Sequence, residues 1–218
     1  MENYDVLKDV SERTGGDIYL GVVGPVRTGK STFIKRFMEE LVLPNIEDIH
    51  ERERAVDEMP QSGSGRTVMT AEPKFIPAEA VNIHVDETSI RLVDCVGYAV
   101  EGARGFDDED GPRMVDTPWF EEPVSFAVAA ETGTEKVIAE HSTIGVVVLT
   151  DGTFGDIPLE AYNPAAERVI EELQELGKPF VIIVNSADPD GQIAQDFADE
   201  LAERYGVTVL TMNLLDMT

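Results

Sequence analysis

The chain has 218 residues, of which 42% are hydrophobic and 28% charged. This composition is typical of a globular domain that buries its own core, and it excludes a disordered or fibrous chain. The 17 basic and 43 acidic residues give a formal net charge of −26, which repels phosphate backbones and anionic lipid surfaces and so argues against nucleic acid as a partner.

Apolar runs separated by glycine, proline and charged breaks predict alternating strands and helices. The predicted elements in chain order are a strand at 18–23, a helix at 30–41, at most a short helix at 49–59, a hairpin of strands at 80–85 and 89–96, a helix at 124–141, a strand at 144–150, a helix at 164–177, a strand at 180–185, a helix at 192–205 and a strand at 207–210. Apolar strands that alternate with helices are typical of a parallel sheet covered on both faces. The sequence therefore predicts a three-layer α/β fold, mostly parallel, with one antiparallel strand from the hairpin.

Two long connections interrupt this pattern. Residues 42–68 carry scattered charge, prolines and the run SGSG, and they predict a mobile loop outside the short helix. Residues 101–123 are rich in Gly, Asp, Glu and Pro and far exceed the usual connection of about 4–6 residues. Trp119 and Phe120 in this second loop are expected either to anchor a neighbouring subunit or to plug onto the domain core.

Residues 24–31 (GPVRTGKS) match the pattern G-x-x-x-x-G-K-[ST] completely and lie between a predicted strand and a predicted helix. The glycines let successive N–H groups turn inward, and the helix start adds the positive end of its dipole, so an acidic chain can still hold phosphate. We expect Lys30 to reach the β- and γ-phosphates, Ser31 to bind Mg²⁺ and Thr32 to approach the α-phosphate. The predicted nucleotide-binding residues of this loop are Gly24, Pro25, Val26, Arg27, Thr28, Gly29, Lys30, Ser31 and Thr32.

Further along the chain, two segments complete the predicted chemistry. Asp94 ends an apolar strand (RLVDCVG), where P-loop proteins need a carboxylate for a Mg²⁺-bound water, and Gly97 makes D-x-x-G, whose N–H can meet the γ-phosphate. Thr70, in RTVMTAEP, is placed as a switch threonine that completes the Mg²⁺ shell. The predicted catalytic residues are Lys30, Thr70 and Asp94, and the predicted Mg²⁺ ligands are Ser31, Thr70 and Asp94.

Base recognition is the least defined part of the predicted site. Residues 185–188 (NSAD) follow a strand where N-K-x-D would recognise guanine, but Ser186 stands in place of the lysine whose stem would pack along the base. The segment is either a simple turn or a nucleotide contact through Asn185. Arg27 is likewise expected either to lean over the phosphates or to pack at the rim of the loop.

The cysteine content, the apolar runs and the N-terminal residues indicate where the chain is located. The single cysteine, Cys95, excludes an internal disulfide framework, favours a reducing compartment, and is expected to be a packed side chain rather than a reactive thiol. No apolar run approaches the roughly 20 residues that span a bilayer, and residues 1–17 are too polar for a signal peptide. We expect one cytoplasmic domain over residues 1–218 that does not insert into a membrane.

Several segments together resemble a known family. They are GDIYLGVVGPVRTGKSTFIKRFMEELVLPNI, DEMPQSGSGRTVMTAEPKFIP, IRLVDCVGYAVEGARG, DEDGPRMVDTPWFEEP and EHSTIGVVVLTDGTFGDI. Over essentially all 218 residues, the chain resembles the N-terminal ATPase region of the stage IV sporulation protein A family, the coat-basement protein of endospore-forming bacteria. The match extends through loops that generic P-loop proteins do not share.

The resemblance implies a fold like that of translation-factor-type GTPases that have changed to ATP, with ATP and Mg²⁺ as ligands. It assigns phosphate binding to the loop Gly24 to Ser31, the Mg²⁺-water acid to Asp94, and γ-phosphate sensing to the Thr70 region. Family members commonly have two adjacent threonines before Glu-Pro, whereas this chain has Thr70 followed by Ala71. Hydrolysis is therefore expected either to rely on Thr70 alone or to be weakened.

The resemblance also implies what hydrolysis is for. Members polymerise into a shell on the developing spore, which implies self-assembly, a place in the mother-cell cytoplasm at the forespore surface, and other spore coat or membrane-anchor proteins as partners through regions beyond these residues. Two other functions remain open: a regulatory GTPase switch, suggested by Asn185 and Asp188, and a small-molecule kinase built on the same loop. Base selectivity separates the first from an ATPase, and a phosphorylated product would reveal the second.

Overall fold

Within residues 17–60, 74–83, 88–108 and 111–217, which the computed structural model describes, a six-stranded sheet forms the centre of the protein. The strands, including short ribbons in the loops, are β1 (Asp17–Val23), β2 (Lys74–Ile83), β3 (Thr88–Asp94), β4 (Asp107–Asp108), β5 (Gly111–Pro112), β6 (Met114–Val115), β7 (Val124–Ser125), β8 (Ile144–Thr150), β9 (Phe180–Asn185) and β10 (Val209–Met212). The helices are α1 (Lys30–Phe37), α2 (Ile49–Glu58), α3 (Phe126–Lys136), α4 (Leu159–Glu175) and α5 (Gln192–Tyr205), with π-helical turns at Met38–Val42 and Val137–His141 and a 3-10 turn at Leu43–Asn45.

The strand order of the central sheet is β10-β9-β8-β1-β3-β2. Every neighbouring pair is parallel except β2 and β3, which are antiparallel. Strand β1 lies between β3 and β8, with Leu20 opposite Leu92 on one side and Val22 opposite Val146 on the other. The predicted parallel sheet with one antiparallel strand from the hairpin is confirmed.

Side chains that alternate along the inner strands fill two separate cores, one on each face of the sheet. On β8, Val146 and Val148 face a cluster that includes Phe33 of α1 and Ala55 of α2. Val147 and Leu149 face the other cluster, which includes residues of α3, α4 and α5 such as Phe126, Val169 and Leu201. Because both faces of the strands are covered, a continuous apolar run is stable there, and the predicted three-layer arrangement is confirmed.

The prediction placed three elements at the residues where the structure has them, namely β8, β9 and α5. The first strand and the short second helix are also present, within one residue of the predicted ends, and β3 ends at Asp94 rather than at residue 96. Among the described residues, no helix is both long enough and apolar enough to cross a membrane.

The predicted helices at 30–41 and 124–141 are each divided in the structure. The first is α1 followed by a π-helical turn. In the second, Val124 and Ser125 pair with β6 instead of starting the helix. The Ser125 hydroxyl accepts a hydrogen bond from the Val128 N–H at 3.4 Å, so Ser125 is the N-cap and α3 begins after it.

The predicted start of the fourth helix at Pro164 was wrong. Proline is favoured in the first turn of a helix, which made Pro164 a plausible start. In the structure α4 begins at Leu159, because Tyr162 is buried on the same stripe as Ala165 and Val169 and so anchors an additional first turn. Pro164 itself is exposed on the opposite side.

Two strands also differ from their predicted starts. Strand β2 runs from Lys74 rather than from residue 80, with a shift in register between Ile76 and Val81. The proline at position 77 suggested a break, but an edge strand tolerates a residue without an N–H. The last strand is β10 at Val209–Met212 rather than 207–210, because α5 ends in the left-handed Gly206 and the chain then needs residues to return to the sheet.

Replacing Pro164 by alanine is expected to raise the free energy of unfolding by about 1–2 kcal/mol, because proline inside a helix removes one backbone hydrogen bond and crowds the preceding turn. Pro164 is exposed, so no packing is lost. Urea denaturation of the chain and the variant measures the change. The control is the neighbouring exposed substitution Asn163→Ala, whose free energy of unfolding should rise by only about 0.5 kcal/mol. A destabilised Pro164→Ala variant would contradict the position of Pro164 within α4.

Candidate nucleotide-binding site

The segment 24–31 forms a tight turn between β1 and α1 at the carboxyl edge of the parallel sheet. Gly24 and Gly29 have φ angles of +138° and +105°, and the exposed Arg27 has +66°. A Cβ on Gly24 would collide with the Val148 carbonyl oxygen of β8, so glycine also lets the loop lie directly on the sheet. These left-handed positions give the loop the conformation that a phosphate-binding nest requires.

Internal hydrogen bonds fix the loop in place. The Thr28 side chain is buried, and its hydroxyl donates to the Pro25 carbonyl at 3.1 Å. The Val26 N–H donates to the Tyr98 carbonyl at 2.9 Å, so the loop is also bonded to the segment that follows β3. The loop is therefore held between α1 and that segment before any ligand contributes.

Lys30 is the first residue of α1, and it is 5% exposed. Its Nζ donates to the Pro25 carbonyl oxygen at 2.5 Å. Burial lowers the pKa of Lys30, while Cys95 and Asp94 act in the opposite direction. The charge of Asp94 offsets only part of the cost of burying the ammonium, since the pKa of Lys30 is lowered overall; a phosphate group bound by the loop would offset more of it.

Replacing Lys30 by methionine is expected to raise the free energy of unfolding of the chain without nucleotide at pH 7, since no buried charge is then desolvated. The folded-state pKa of Lys30 lies below its ordinary value of 10.5. Between the two values the unfolded state binds more protons, so the stability of the unsubstituted chain rises with pH and the advantage of the variant shrinks.

Urea denaturation between pH 7 and the ordinary pKa of lysine measures this difference, with the more exposed Lys35→Met as control. A Lys30→Met variant that is less stable than the chain at pH 7 would show that the ammonium is stabilised by the protein alone.

Asp94 and Gly97 lie beside the loop, as the sequence predicts. Asp94 is the last residue of β3, is half-buried, and is close enough to act on the pKa of Lys30. Gly97 has a φ of +96°, and a Cβ there would lie 2.5 Å from Lys30 Nζ. The Gly97 N–H donates to the hydroxyl of Thr134 at 3.2 Å, so its predicted contact with a γ-phosphate requires a change of partner.

The described residues fit Mg²⁺ bound by few protein ligands. Ser31, half-buried in the first turn of α1, and Asp94 supply oxygen atoms at the same edge of the sheet as Lys30. Among the residues that the structure describes, no cluster of three or more His, Cys, Asp or Glu could hold a metal by itself. Ser31 and Asp94 are therefore the described residues that could contribute oxygen ligands to a Mg²⁺ ion bound together with nucleotide phosphates.

Asn185 connects the loop to the far strands of the sheet. Its side-chain Nδ2 donates to the Thr28 carbonyl at 3.1 Å, and its Oδ1 accepts from the Leu214 N–H at 3.2 Å. A Cβ on Gly29 would lie 2.8 Å from the same Nδ2. Both ends of the amide are thus hydrogen-bonded to backbone groups. The sequence predicted either a simple turn or a nucleotide contact here and did not predict these bonds. Contact with a nucleotide stays a prediction.

Replacing Asn185 by alanine is expected to lower the free energy of unfolding by about 1–3 kcal/mol, because the buried Thr28 carbonyl and Leu214 N–H each lose their partner. Because the amide is bonded to the backbone of the loop, we expect affinity to fall by the same factor for adenine and guanine nucleotides. Chemical denaturation and nucleotide titrations measure both effects. The exposed Asn163→Ala serves again as control; a loss confined to one base would show that Asn185 reads the base.

The other predicted residues fall into three groups. Thr70 and Ala71 lie outside the described residues. Trp119 is half-buried, with Lys136 of α3 at 5.9 Å from its ring centroid, whereas Phe120 is 38% exposed. Cys95 is buried, and burial raises its pKa to about 11, so it is a packed, protonated thiol as expected.

Sequence reasoning missed a charged cluster that supports the segment after β3. The Tyr98 hydroxyl donates to Glu172 at 2.5 Å, and the Arg168 guanidinium lies 4.2 Å from the Tyr98 ring centroid. Arg168 also pairs with Glu131, with Glu135 at 2.7 Å and with Glu172 at 3.0 Å. Burial and the contact with Glu172 raise the pKa of Tyr98. The spacing of four between Glu131 and Glu135, and between Arg168 and Glu172, was the available signal.

The comparisons with known proteins decide the family. The family model described as "Stage IV sporulation protein A, ATPase domain" matches residues 1–218. The chain belongs to the stage IV sporulation protein A family. The resemblance given by the sequence motifs is therefore confirmed.

Two members of the stage IV sporulation protein A family have the following similarity to the chain. The protein of Bacillus anthracis is 59% identical over 217 residues, which cover 98% of this chain and 44% of that protein. The protein of Bacillus subtilis (strain 168) is also 59% identical, over 220 residues that cover 100% of this chain and 45% of that protein. The chain thus spans less than half the length of these relatives.

A solved structure supports the fold. A single-residue variant of Era from Aquifex aeolicus, bound to GDP·AlF4⁻, matches with a TM-score of 0.57 at 13% identity, covering 93% of this chain and 53% of that chain. At this identity the likeness concerns the fold alone. It confirms that this member of the stage IV sporulation protein A family has the predicted P-loop fold.

Proposed function

We propose that this chain binds ATP with Mg²⁺ at the loop 24–31 and hydrolyses the terminal phosphate. The observation that carries the proposal is the buried ammonium of Lys30, placed within a glycine turn and beside Asp94 and Gly97. Burial removes the stabilisation that water gives to an ammonium group. A phosphate group bound in the loop would replace that stabilisation, so the site fits a phosphate group. The family, named as an ATPase domain, identifies the reaction class.

The chain's own residues supply positioning and charge. The loop and the start of α1 hold the phosphates, and Lys30 neutralises charge that develops on the transferred group. Ser31 and Asp94 would hold Mg²⁺, which when bound offsets negative charge on the phosphate oxygens. Charge stabilisation and orientation of water carry most of such a reaction, so no strong general base is required.

The segment that follows β9 lacks one element of a guanine site, which supports ATP over GTP. Ser186 is buried, in the position where a lysine stem would pack along guanine. Its hydroxyl accepts from the Asp188 N–H at 3.1 Å, which makes the segment a closed turn. The Asn185 amide is held by the backbone of Thr28 and Leu214. The contacts of Asn185 do not distinguish the two bases, so the missing lysine stem at position 186 is the feature that favours ATP.

We further propose that hydrolysis drives self-assembly of the longer protein into a basement layer of the spore coat, at the forespore surface in the mother-cell cytoplasm. The family's sporulation role supports the setting. With a net charge of −26, the chain itself is a poor ligand for an anionic membrane or for nucleic acid. Attachment would then come from coat or membrane-anchor proteins that bind regions of the longer protein beyond these residues.

The test is hydrolysis of ATP and GTP, each with Mg²⁺, by the chain and by Lys30→Ala and Ala71→Thr variants. We expect turnover of ATP, a loss of at least about 100-fold in kcat/KM in Lys30→Ala because the phosphate cation is gone, and faster turnover in Ala71→Thr because the second family threonine is restored. Phosphate release measures all three. Removal of Mg²⁺ with a chelator should abolish turnover.

Three outcomes would contradict parts of this proposal. Preference for GTP would favour a GTPase switch, and phosphorylation of an added small molecule would favour a kinase. Unchanged turnover in Ala71→Thr would remove position 71 from the determinants of the rate. For assembly, light scattering of the full-length protein with ATP and with a non-hydrolysable analogue separates assembly that depends on hydrolysis from assembly that depends on binding alone.

A further inference from the structure

Thr134 lies beneath the segment that follows β3, in the last turn of α3. Its side chain is fully buried. The hydroxyl donates to the Ala130 carbonyl of its own helix at 2.8 Å and accepts from the Gly97 N–H at 3.2 Å. The second bond joins a helix to a loop residue, so it contributes nothing to the helix itself.

The segment around Gly97 is held by hydrogen bonds at Cys95 and at Tyr98. Before it, the Cys95 thiol donates to the Val22 carbonyl at 3.4 Å. After it, the Tyr98 carbonyl accepts from the Val26 N–H at 2.9 Å, and the Tyr98 hydroxyl donates to Glu172 at 2.5 Å. A turn of the peptide bond between Val96 and Gly97 changes ψ of Val96 and φ of Gly97, and glycine at position 97 tolerates a wide range of φ.

The direction of this one N–H decides what it can bind. Gly97 adjoins the phosphate-binding lysine, since a Cβ at Gly97 would lie 2.5 Å from Lys30 Nζ. In this structure the Gly97 N–H donates to the Thr134 hydroxyl. A single N–H does not donate with good geometry to two separate acceptors, so a bond to Thr134 and a bond to a γ-phosphate at Lys30 are alternatives.

We propose that Thr134 is a positioning residue that holds the Gly97 N–H whenever no γ-phosphate is bound, and so sets the ratio of ATP affinity to ADP affinity. This inference rests on the proposed ATP-binding function. Binding of ATP exchanges the Thr134 bond for a bond to the γ-phosphate, whereas binding of ADP leaves the Thr134 bond in place. Part of the free energy of the new contact is therefore offset by the contact that is lost.

The test uses Thr134→Val, which keeps the shape of the side chain but removes the hydroxyl, and Thr134→Ser, which keeps the hydroxyl. The dissociation constants of ADP and of a non-hydrolysable ATP analogue are measured by calorimetric titration for the chain and both variants. In Thr134→Val the Gly97 N–H loses the hydroxyl to which it donates, in the free and ADP-bound forms alike. We therefore expect unchanged ADP affinity and affinity for the ATP analogue raised roughly tenfold, with both constants restored in Thr134→Ser.

A purely structural role for Thr134 would weaken both ligands by the same factor, and that result, or a ratio unchanged in Thr134→Val, would overturn the inference. If Thr134→Val does not fold, as judged by circular dichroism, Thr134→Ala removes the same hydroxyl and carries the same expectation. Failure of the unsubstituted chain to bind the ATP analogue would instead overturn the proposed function and this inference together. Binding in the chain with an unchanged ratio in the variant overturns the inference alone.

Discussion

The ammonium of Lys30 is buried at the carboxyl edge of the sheet. Its Nζ donates to the Pro25 carbonyl oxygen at 2.5 Å. Burial lowers the pKa of Lys30 by more than Cys95 and Asp94 raise it. Two glycines allow the backbone to approach the lysine closely. Gly24 allows the loop to lie on β8, and Gly97 allows the segment after β3 to approach the amine. A side chain at position 24 would push the loop off β8, and a side chain at position 97 would collide with the loop carbonyl of Gly24 and with the Lys30 amine. The two glycines thus allow the loop and the segment after β3 to pack closely around the Lys30 ammonium.

The parts of the fold that were predictable from sequence are those whose burial is uniform. Strands β8 and β9 are covered on both faces and read as continuous apolar runs, and α5 has a regular apolar stripe that ends at a glycine. Errors occurred where tertiary contacts override local preference. Tyr162 extends α4 past a proline, and pairing with β6 removes two residues from the start of α3.

The candidate site likewise has one part that the sequence predicts and one part that it does not. The loop 24–31 is readable because every position of the motif is contiguous, and Asp94 is readable because it ends an apolar strand. The contacts of Asn185 with Thr28 and of Thr134 with Gly97 join residues that are distant along the chain. Threonine within an apolar helix and asparagine at a strand end have common structural roles, so their types alone do not reveal these partners.

The irregular edge of the sheet bears on how copies of this chain can meet. Strand β2 lies at one edge, its register with β3 shifts between Ile76 and Val81, and position 77 is a proline that offers no N–H. A distorted edge with a missing donor is a poor template for a strand from another molecule. Ordered growth by edge-to-edge β-sheet extension is therefore disfavoured on this side, so contact between copies through the β2 edge would have to use side chains rather than a continuous sheet.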